Sequence, residues 1–246
     1  MWAAAEGFRG SREEPTTGVA TLHLRVRVPS EKRDWAIRFP NAYSAAKLFV
    51  NGTKVAEIGR VSDRPESYLP SNALALPFFS SEGGKLDIVM QIANYSTPAI
   101  GTWDSPLLGD TSAIMRKRQT DVATTSLISG PLPTMGLYHL GLFFLRKKDR
   151  ASLLFGLICL LRMVRNHIMG ERLFLDFFPP GIAAWEWAFK IQMLSAHLAL
   201  PLFALFFKRL FPRQVSRIPV IVIVIVGGAW ASFVLFAPSM EYHRFL

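Results

Sequence analysis

Chemistry requires reactive side chains held at fixed spacing, and few residues of this chain qualify. The five histidines, His23, His139, His167, His197 and His243, are scattered and show no metal-ligand spacing. Cys159 is the single cysteine and lies in an apolar run. It has no partner for an intramolecular disulfide and reads as a small lipid- or helix-facing residue. Glu13 and Glu14, near the start of the chain, read as a solvated pair of charges rather than a general acid and base. No glycine-rich phosphate loop, nucleophile elbow or kinase signature is present. These residues point away from an enzyme and call for no metal and no cofactor.

Two sets of polar residues remain. Arg60, Glu66, Asn94 and Trp103 fall in turn-rich stretches between short apolar segments. A tryptophan with polar neighbours suits a carbohydrate, whose C–H faces stack on aromatic rings, so these four are the candidate ligand-binding residues. Each also has a plain structural reading: Trp103 as a plug at the base of a domain, Asn94 as a turn cap, Arg60 and Glu66 as a surface pair. Tyr138, His139, Arg165 and Glu186 form the second set and interrupt strongly apolar stretches. Polar groups in such stretches bond between helices or take part in a relay. At about 1.5 Å per helical residue, Arg165 and Glu186 lie at similar depth on antiparallel helices, which predicts an ion pair between them. Glu186 and Lys190, four apart, share a helix face.

The elements that would position the first set are short strands. Thr21–Val28 alternates, with Leu22, Leu24, Val26 and Val28 on one face and His23, Arg25 and Arg27 on the other. Trp35, Ile37 and Phe39 repeat that period. Residues 47–50 meet Asn51-Gly52, the favoured two-residue hairpin turn, and 53–57 return. Residues 74–79 form a further strand interrupted by Pro77, and Lys85–Ala93 alternates again with Leu86, Ile88, Met90 and Ile92 inward. Six or so short strands separated by turns suggest a sandwich or jelly roll. Asn51 and Asn94 each head a glycosylation sequon by pattern, but Asn51 is better explained by its turn.

The second set belongs to membrane-spanning helices. A span needs about 20 predominantly apolar residues. Residues 218–237 are the clearest case, followed by 182–207, 122–145 (which holds Pro131 and Pro133 and should kink there) and 151–170. The charge distribution agrees. Of 28 Lys/Arg and 18 Asp/Glu, residues 1–114 hold 12 of each, so the whole +10 falls on the apolar half. A basic excess confined to an apolar half indicates membrane topology and not nucleic acid. Residues 146–150 and 208–217 carry four positive charges each. The positive-inside rule makes these loops cytoplasmic and puts the N-terminal domain outside, with Arg116-Lys-Arg118 as the one opposing cluster. Met1–Pro15 shows neither a basic start nor an apolar run, so an export signal is expected upstream. The expected organisation is a disordered start at 1–17, an all-β jelly-roll or sandwich ectodomain at 18–114, a linker at 115–121, a helical transmembrane bundle of four spans within 122–237, and a tail at 238–246.

Two resemblances add to this reading. KLFVNGTKVAEIG (47–59), followed by GGKLDIVMQIANYS (83–96), resembles galactose-binding-like jelly rolls, including the sugar-binding domain of family 2 glycoside hydrolases. MGLYHLGLFFLRKKDRASLLFGLICLLRMVR (135–165), with GERL (170–173) and LALPLFALFFKRLFP (198–212), resembles the bacterial seven-helix receptors with diverse intracellular signalling modules. IRFPNAYSAAKLFVNG (37–52) and PLLGD (106–110) resemble the outer domain of such receptors. The resemblance implies a sensor in the bacterial inner membrane, with a periplasmic or extracellular domain that binds a small molecule, carbohydrate among the candidates. It also implies a cytoplasmic kinase or cyclase as effector, and a homodimer. The family's GLYHLGLF pattern falls on residues 136–143, its second-span arginine on Arg165 and its GER on Gly170, Glu171 and Arg172. Only four of seven spans are present, so the chain is expected to be a fragment, a truncated gene product or an incomplete gene model. A transporter subunit and a membrane-tethered carbohydrate-binding protein are the alternatives.

Overall fold

The computed structural model describes residues 3–4, 17–39, 45–97, 105–169, 171–172, 182–238 and 241. The chain forms two compact units. One comprises Met1–Thr120, Leu175–Glu186 and Ser239–Leu246; the other comprises Asp121–Phe174 and Trp187–Pro238.

The first unit is built on strands β1 (Ala3–Ala4), β2 (Gly18–Val28), β3 (Arg33–Arg38), β4 (Ala45–Val50), β5 (Thr53–Ile58), β6 (Phe78–Ser81), β7 (Gly84–Asn94) and β8 (Leu107–Asp110). They form two antiparallel four-stranded sheets, ordered β1-β8-β3-β6 and β2-β7-β4-β5. The alternation of β2 and β7 sets their pairing, which runs from Gly18 opposite Asn94 to Val28 opposite Gly84. A slip of one residue would turn Leu22, Val26, Leu86 and Met90 out of the core. Trp35, Ile37 and Phe39 of one sheet pack with Leu48, Val50, Leu86, Met90 and Ile92 of the other, so the core lies between the sheets as in a β-sandwich. The β4–β5 hairpin turns at Asn51 and Gly52, both with positive φ (50° and 80°), the backbone that this dipeptide favours.

Three features depart from the sequence expectation. Ala3–Ala4, placed in a disordered start, pairs with Leu107 and Leu108. The strand expected at 74–79 runs from Phe78 to Ser81, because Pro77 has no N–H to give a ladder; upstream, Ala75 makes an isolated bridge with Phe39. β8 was not expected. It completes its sheet beside β3, and helix α1 (Thr111–Ser129) follows it directly, so residues 115–121 are helix and not linker. Ile114 of α1 is fully buried, and a Cβ on Gly109 of β8 would lie 3.4 Å from its side chain.

The second unit is helical. It takes the end of α1, then α2 (Pro131–Leu145), α3 (Arg150–Met169), α4 (Ile182–Leu210) from Trp187 onward, and α5 (Arg217–Phe236). Among the described residues, three helical stretches are long and apolar enough to cross a membrane: Arg150–Met169, Trp185–Leu210 and Arg217–Phe236. The fourth expected span, 122–145, is divided between α1 and α2. Pro131 and Pro133 lack the N–H groups that would bond the carbonyls of Leu127 and Ser129, which ends one helix and starts another. Gly130 between them keeps right-handed helical angles, φ −58° and ψ −44°, so the path stays helical through the break.

Close packing in this unit depends on small residues. A Cβ on Gly136 of α2 would lie 2.8 Å from Leu160, and one on Gly156 of α3 would lie 3.0 Å from the Gly136 carbonyl oxygen. Two glycines facing each other let the helix backbones touch, as membrane helices require. Pro201 within α4 frees the His197 carbonyl. Gly227 of α5 sits against that site, where a Cβ would meet the proline ring at 2.3 Å. The His197 ring lies 5.6 Å from that of Trp230, one turn along α5.

Candidate functional site: a polar seam in the helical unit

Arg165 and Asn166 of α3 lie on a polar seam that ties α3 to α4 and to the end of α1. Arg165 of α3 donates from Nη1 to the Gln192 carbonyl of α4 at 2.9 Å and to Ser195 Oγ at 3.5 Å, and Ser195 Oγ donates to the same carbonyl at 2.7 Å. The next residue, Asn166, donates from Nδ2 to Ser129 Oγ at 3.1 Å, which ties α3 to the end of α1. Ser129 and Ser195 are 0% and 1% exposed, so the seam is interior to the unit. Buried hydroxyls and carbonyls at membrane depth need such partners, because no water is available to them.

The ion pair expected between Arg165 and Glu186 is replaced by this arrangement. Equal depth counted from the facing ends of α3 and α4 would pair Arg165 with Glu186. The observed level match falls six residues further along α4, about 9 Å at 1.5 Å per residue. Glu186 belongs to the part of α4 that groups with the β-unit. Lys190, expected beside Glu186 on one face, donates to the Leu235 carbonyl in the last turn of α5 at 3.1 Å, and its ammonium lies 5.7 Å from the Trp187 ring centre. That carbonyl is one of the four that a helix end leaves without an internal donor, and a cation there is favoured by the helix dipole.

Tyr138 and His139 lie on a second line. Tyr138 is 61% exposed, and its ring meets that of His139 edge-on at 5.3 Å. His139 meets Phe155 of α3 at 4.7 Å, and Phe155 meets Phe206 of α4 at 5.6 Å. Phe206 and Phe207 continue the line to Phe211. His139 Nδ1 is buried and has no hydrogen-bond partner among the described residues. The Phe155–Phe206 contact puts the start of α3 beside the end of α4, so the basic stretches 146–150 and 208–217 share one end of the unit. Arg146, Lys147, Lys148, Arg150, Arg209, Arg213 and Arg217 are all exposed there, while Lys208 caps its own chain by donating to the Pro212 carbonyl at 2.8 Å.

In the β-unit the four ligand candidates are dispersed in role. Asn94 is 1% exposed; its Nδ2 donates to the Thr97 carbonyl at 2.7 Å and its Oδ1 accepts from the backbone N–H groups of Ser96 and Thr97. It therefore holds a turn. Arg60 is exposed and its backbone bridges Leu69, closing the loop that carries Glu66, which is also exposed; the two make no ion pair with each other. Trp103 lies outside the described residues. Within the same unit, Asn72 Nδ2 donates to the Trp185 carbonyl in the first turn of α4 at 3.3 Å. Among the described residues no group of three or more His, Cys, Asp or Glu side chains could hold a metal ion.

Sequence reasoning missed Ser129, Gln192 and Ser195. The two serines carry no charge to mark them in an apolar run, and Gln192 contributes only its backbone carbonyl, which no side-chain pattern can reveal.

Residues 122–246, just over half of the chain, match the family model described as 7TM diverse intracellular signalling. Two solved structures of a β-glucuronidase from Ruminococcus gnavus, one in complex with uronic isofagomine and the other with uronic deoxynojirimycin, share 13% identity with the chain. The matches have a TM-score of 0.30 and cover 42% of this chain but only 21% and 22% of theirs, too distant to assign a fold or an activity. No curated protein matches the chain.

Proposed function

Because the chain belongs to the 7TM diverse intracellular signalling family, we propose that it is the input module of a bacterial membrane sensor. In this reading the sandwich is a galactose-binding-like jelly roll outside the inner membrane. It binds a small extracellular molecule, with carbohydrate favoured because the sequence puts a tryptophan, Trp103, in a turn-rich stretch. Four spans, the fourth formed by the end of α1 with α2, pass the signal to a cytoplasmic kinase or cyclase, and the receptor works as a homodimer. The chain itself performs no catalysis.

The observation that carries the reading is that α1 and α4 each begin in the β-unit and continue into the helical unit. A helix transmits displacement along its axis because its hydrogen bonds resist stretching, so a shift at the head of either one reaches the seam at Ser129 or Gln192. The basic stretches gathered at one end of the helical unit support the orientation. A ligand changes the helices only to the extent that it favours one arrangement over another.

The test uses the whole chain in lipid nanodiscs, screened with mono- and oligosaccharides by thermal shift and then followed by hydrogen exchange over α3, α4 and α5. The expected result is a saturable rise in melting temperature, accompanied by altered exchange near Gln192–Ser195. Binding without any change in the helices would leave a tethered binding protein. Uptake of the ligand into proteoliposomes would make the chain part of a transporter.

A further inference from the structure

Among the described residues, two arginines of α3, Arg162 and Arg165, have no carboxylate partner. Arg162 and Arg165 stand three residues apart and so project from neighbouring positions of one helix face. Arg162 is exposed, on a helix whose exposed residues also include the apolar Leu157 and Met169. Arg165 is half-buried and uses a single terminal nitrogen, Nη1, for both of its bonds to α4. The rest of its N–H donors take no acceptor among the described residues, and no carboxylate there pairs with either arginine. Unpaired cations on a membrane-crossing helix are costly. Two adjacent guanidinium groups, each a planar fork of donors, match the oxygens of a phosphate group.

Position along the helix narrows the class of ligand. Arg162 and Arg165 precede the end of α3 at Met169 by about 10 Å and about 6 Å. From there a long side chain reaches the phosphate layer of a leaflet while its stem stays in hydrocarbon. Arg165 is also pre-oriented, because Gln192 and Ser195 fix one edge of its guanidinium and leave the other available.

The geometry points to an oxyanion site at this end of α3, in which Arg162 and the outer edge of Arg165 hold one phosphate group, supplied by a membrane phospholipid or by free phosphate. The inference rests on α3 crossing the membrane and is independent of the sensor reading. Bound phosphate would brace α3 against α4, since Arg165 already bonds the backbone of α4.

The test follows thermal unfolding of the whole chain, stripped of lipid in a phosphate-free detergent, during titration with inorganic phosphate or with phosphatidylglycerol. Arg162→Gln and Arg165→Lys are measured alongside. The first change is at an exposed residue and leaves the seam intact; the second keeps the charge but loses the fork. The expected result is a saturable rise in melting temperature whose half-saturating concentration is weakened about ten-fold or more in each variant. It should stay unchanged when Arg146 and Lys147 at the opposite end are both made Gln. A response to phosphatidylglycerol alone identifies a lipid headgroup as the source, and a response to inorganic phosphate identifies a soluble anion. The proposal is overturned if Arg162→Gln responds as the unsubstituted chain does, if the Arg146/Lys147 change removes the effect, or if neither phosphate source shifts the melt.

Discussion

At the head of α3 the Asp149 carboxylate accepts from the Ser152 hydroxyl at 2.7 Å and from the Ser152 backbone N–H at 3.2 Å, an N-cap immediately before the helix. Those two bonds hold its carboxyl below the usual carboxylate range, with His139 adding a smaller push in the same direction. A folded value below the unfolded one, about 3.9, means that the cap contributes fully above the unfolded value. The contribution is lost as pH falls through the lower folded value. Asp149→Ala is expected to lower the melting temperature at neutral pH and to flatten its decline on acidification, whereas Asp149→Asn keeps the cap and loses only the pH dependence; circular dichroism melts between pH 3 and 7 check both. Single residues were legible in the sequence where their type dictated their setting. Asn51 and Gly52 needed positive φ, and Asn94 offered both a donor and an acceptor to its own turn. Arg165 was legible as a polar group between helices, but its partner was not, because that partner is a main-chain carbonyl.

Among the elements, periodicity exposed the long strands and the apolar helices, while the joints were hidden. β2 and β7 carry eleven residues of alternation each and were visible; β8, four residues reading Leu-Leu-Gly-Asp, carries too little pattern to stand out. Prolines announced a kink within 122–145, though not that they would divide that stretch into α1 and α2 with Gly130 keeping helical angles between them. The crossing of α4 and α5 gives the sharpest test at this scale. A methyl group on Gly227 has no room beside the Pro201 ring, so Gly227→Ala should cost about 1–3 kcal/mol by overpacking. Pro201→Ala removes the ring and restores an N–H for the His197 carbonyl, so the double variant should recover much of that loss. A double-mutant cycle on thermal unfolding in detergent reads the coupling directly. Additive losses would mean that the two residues do not meet.

For the whole molecule, the sequence showed an all-β part followed by a membrane part, because composition and charge change sharply near residue 114. It did not show that a helix follows the last strand directly. β8 ends at Asp110, α1 starts at Thr111, and the first buried residue of the helix, Ile114, rests on Gly109 of the strand. The helix is thereby keyed in azimuth to the sheet, like a shaft pinned in its socket. Each residue added at the joint would turn α1 by about 100° and advance it by about 1.5 Å. One inserted alanine between Asp110 and Thr111 should therefore unseat Ile114 from Gly109 and lower the melting temperature. Four inserted alanines, a little over one full turn, should restore the phase and most of the stability. If one and four insertions are tolerated alike, the joint is a swivel. If they differ, the first turns of α1 are held in phase with β8, and a turn of the sheet becomes a turn of the helix head without any net movement along the axis.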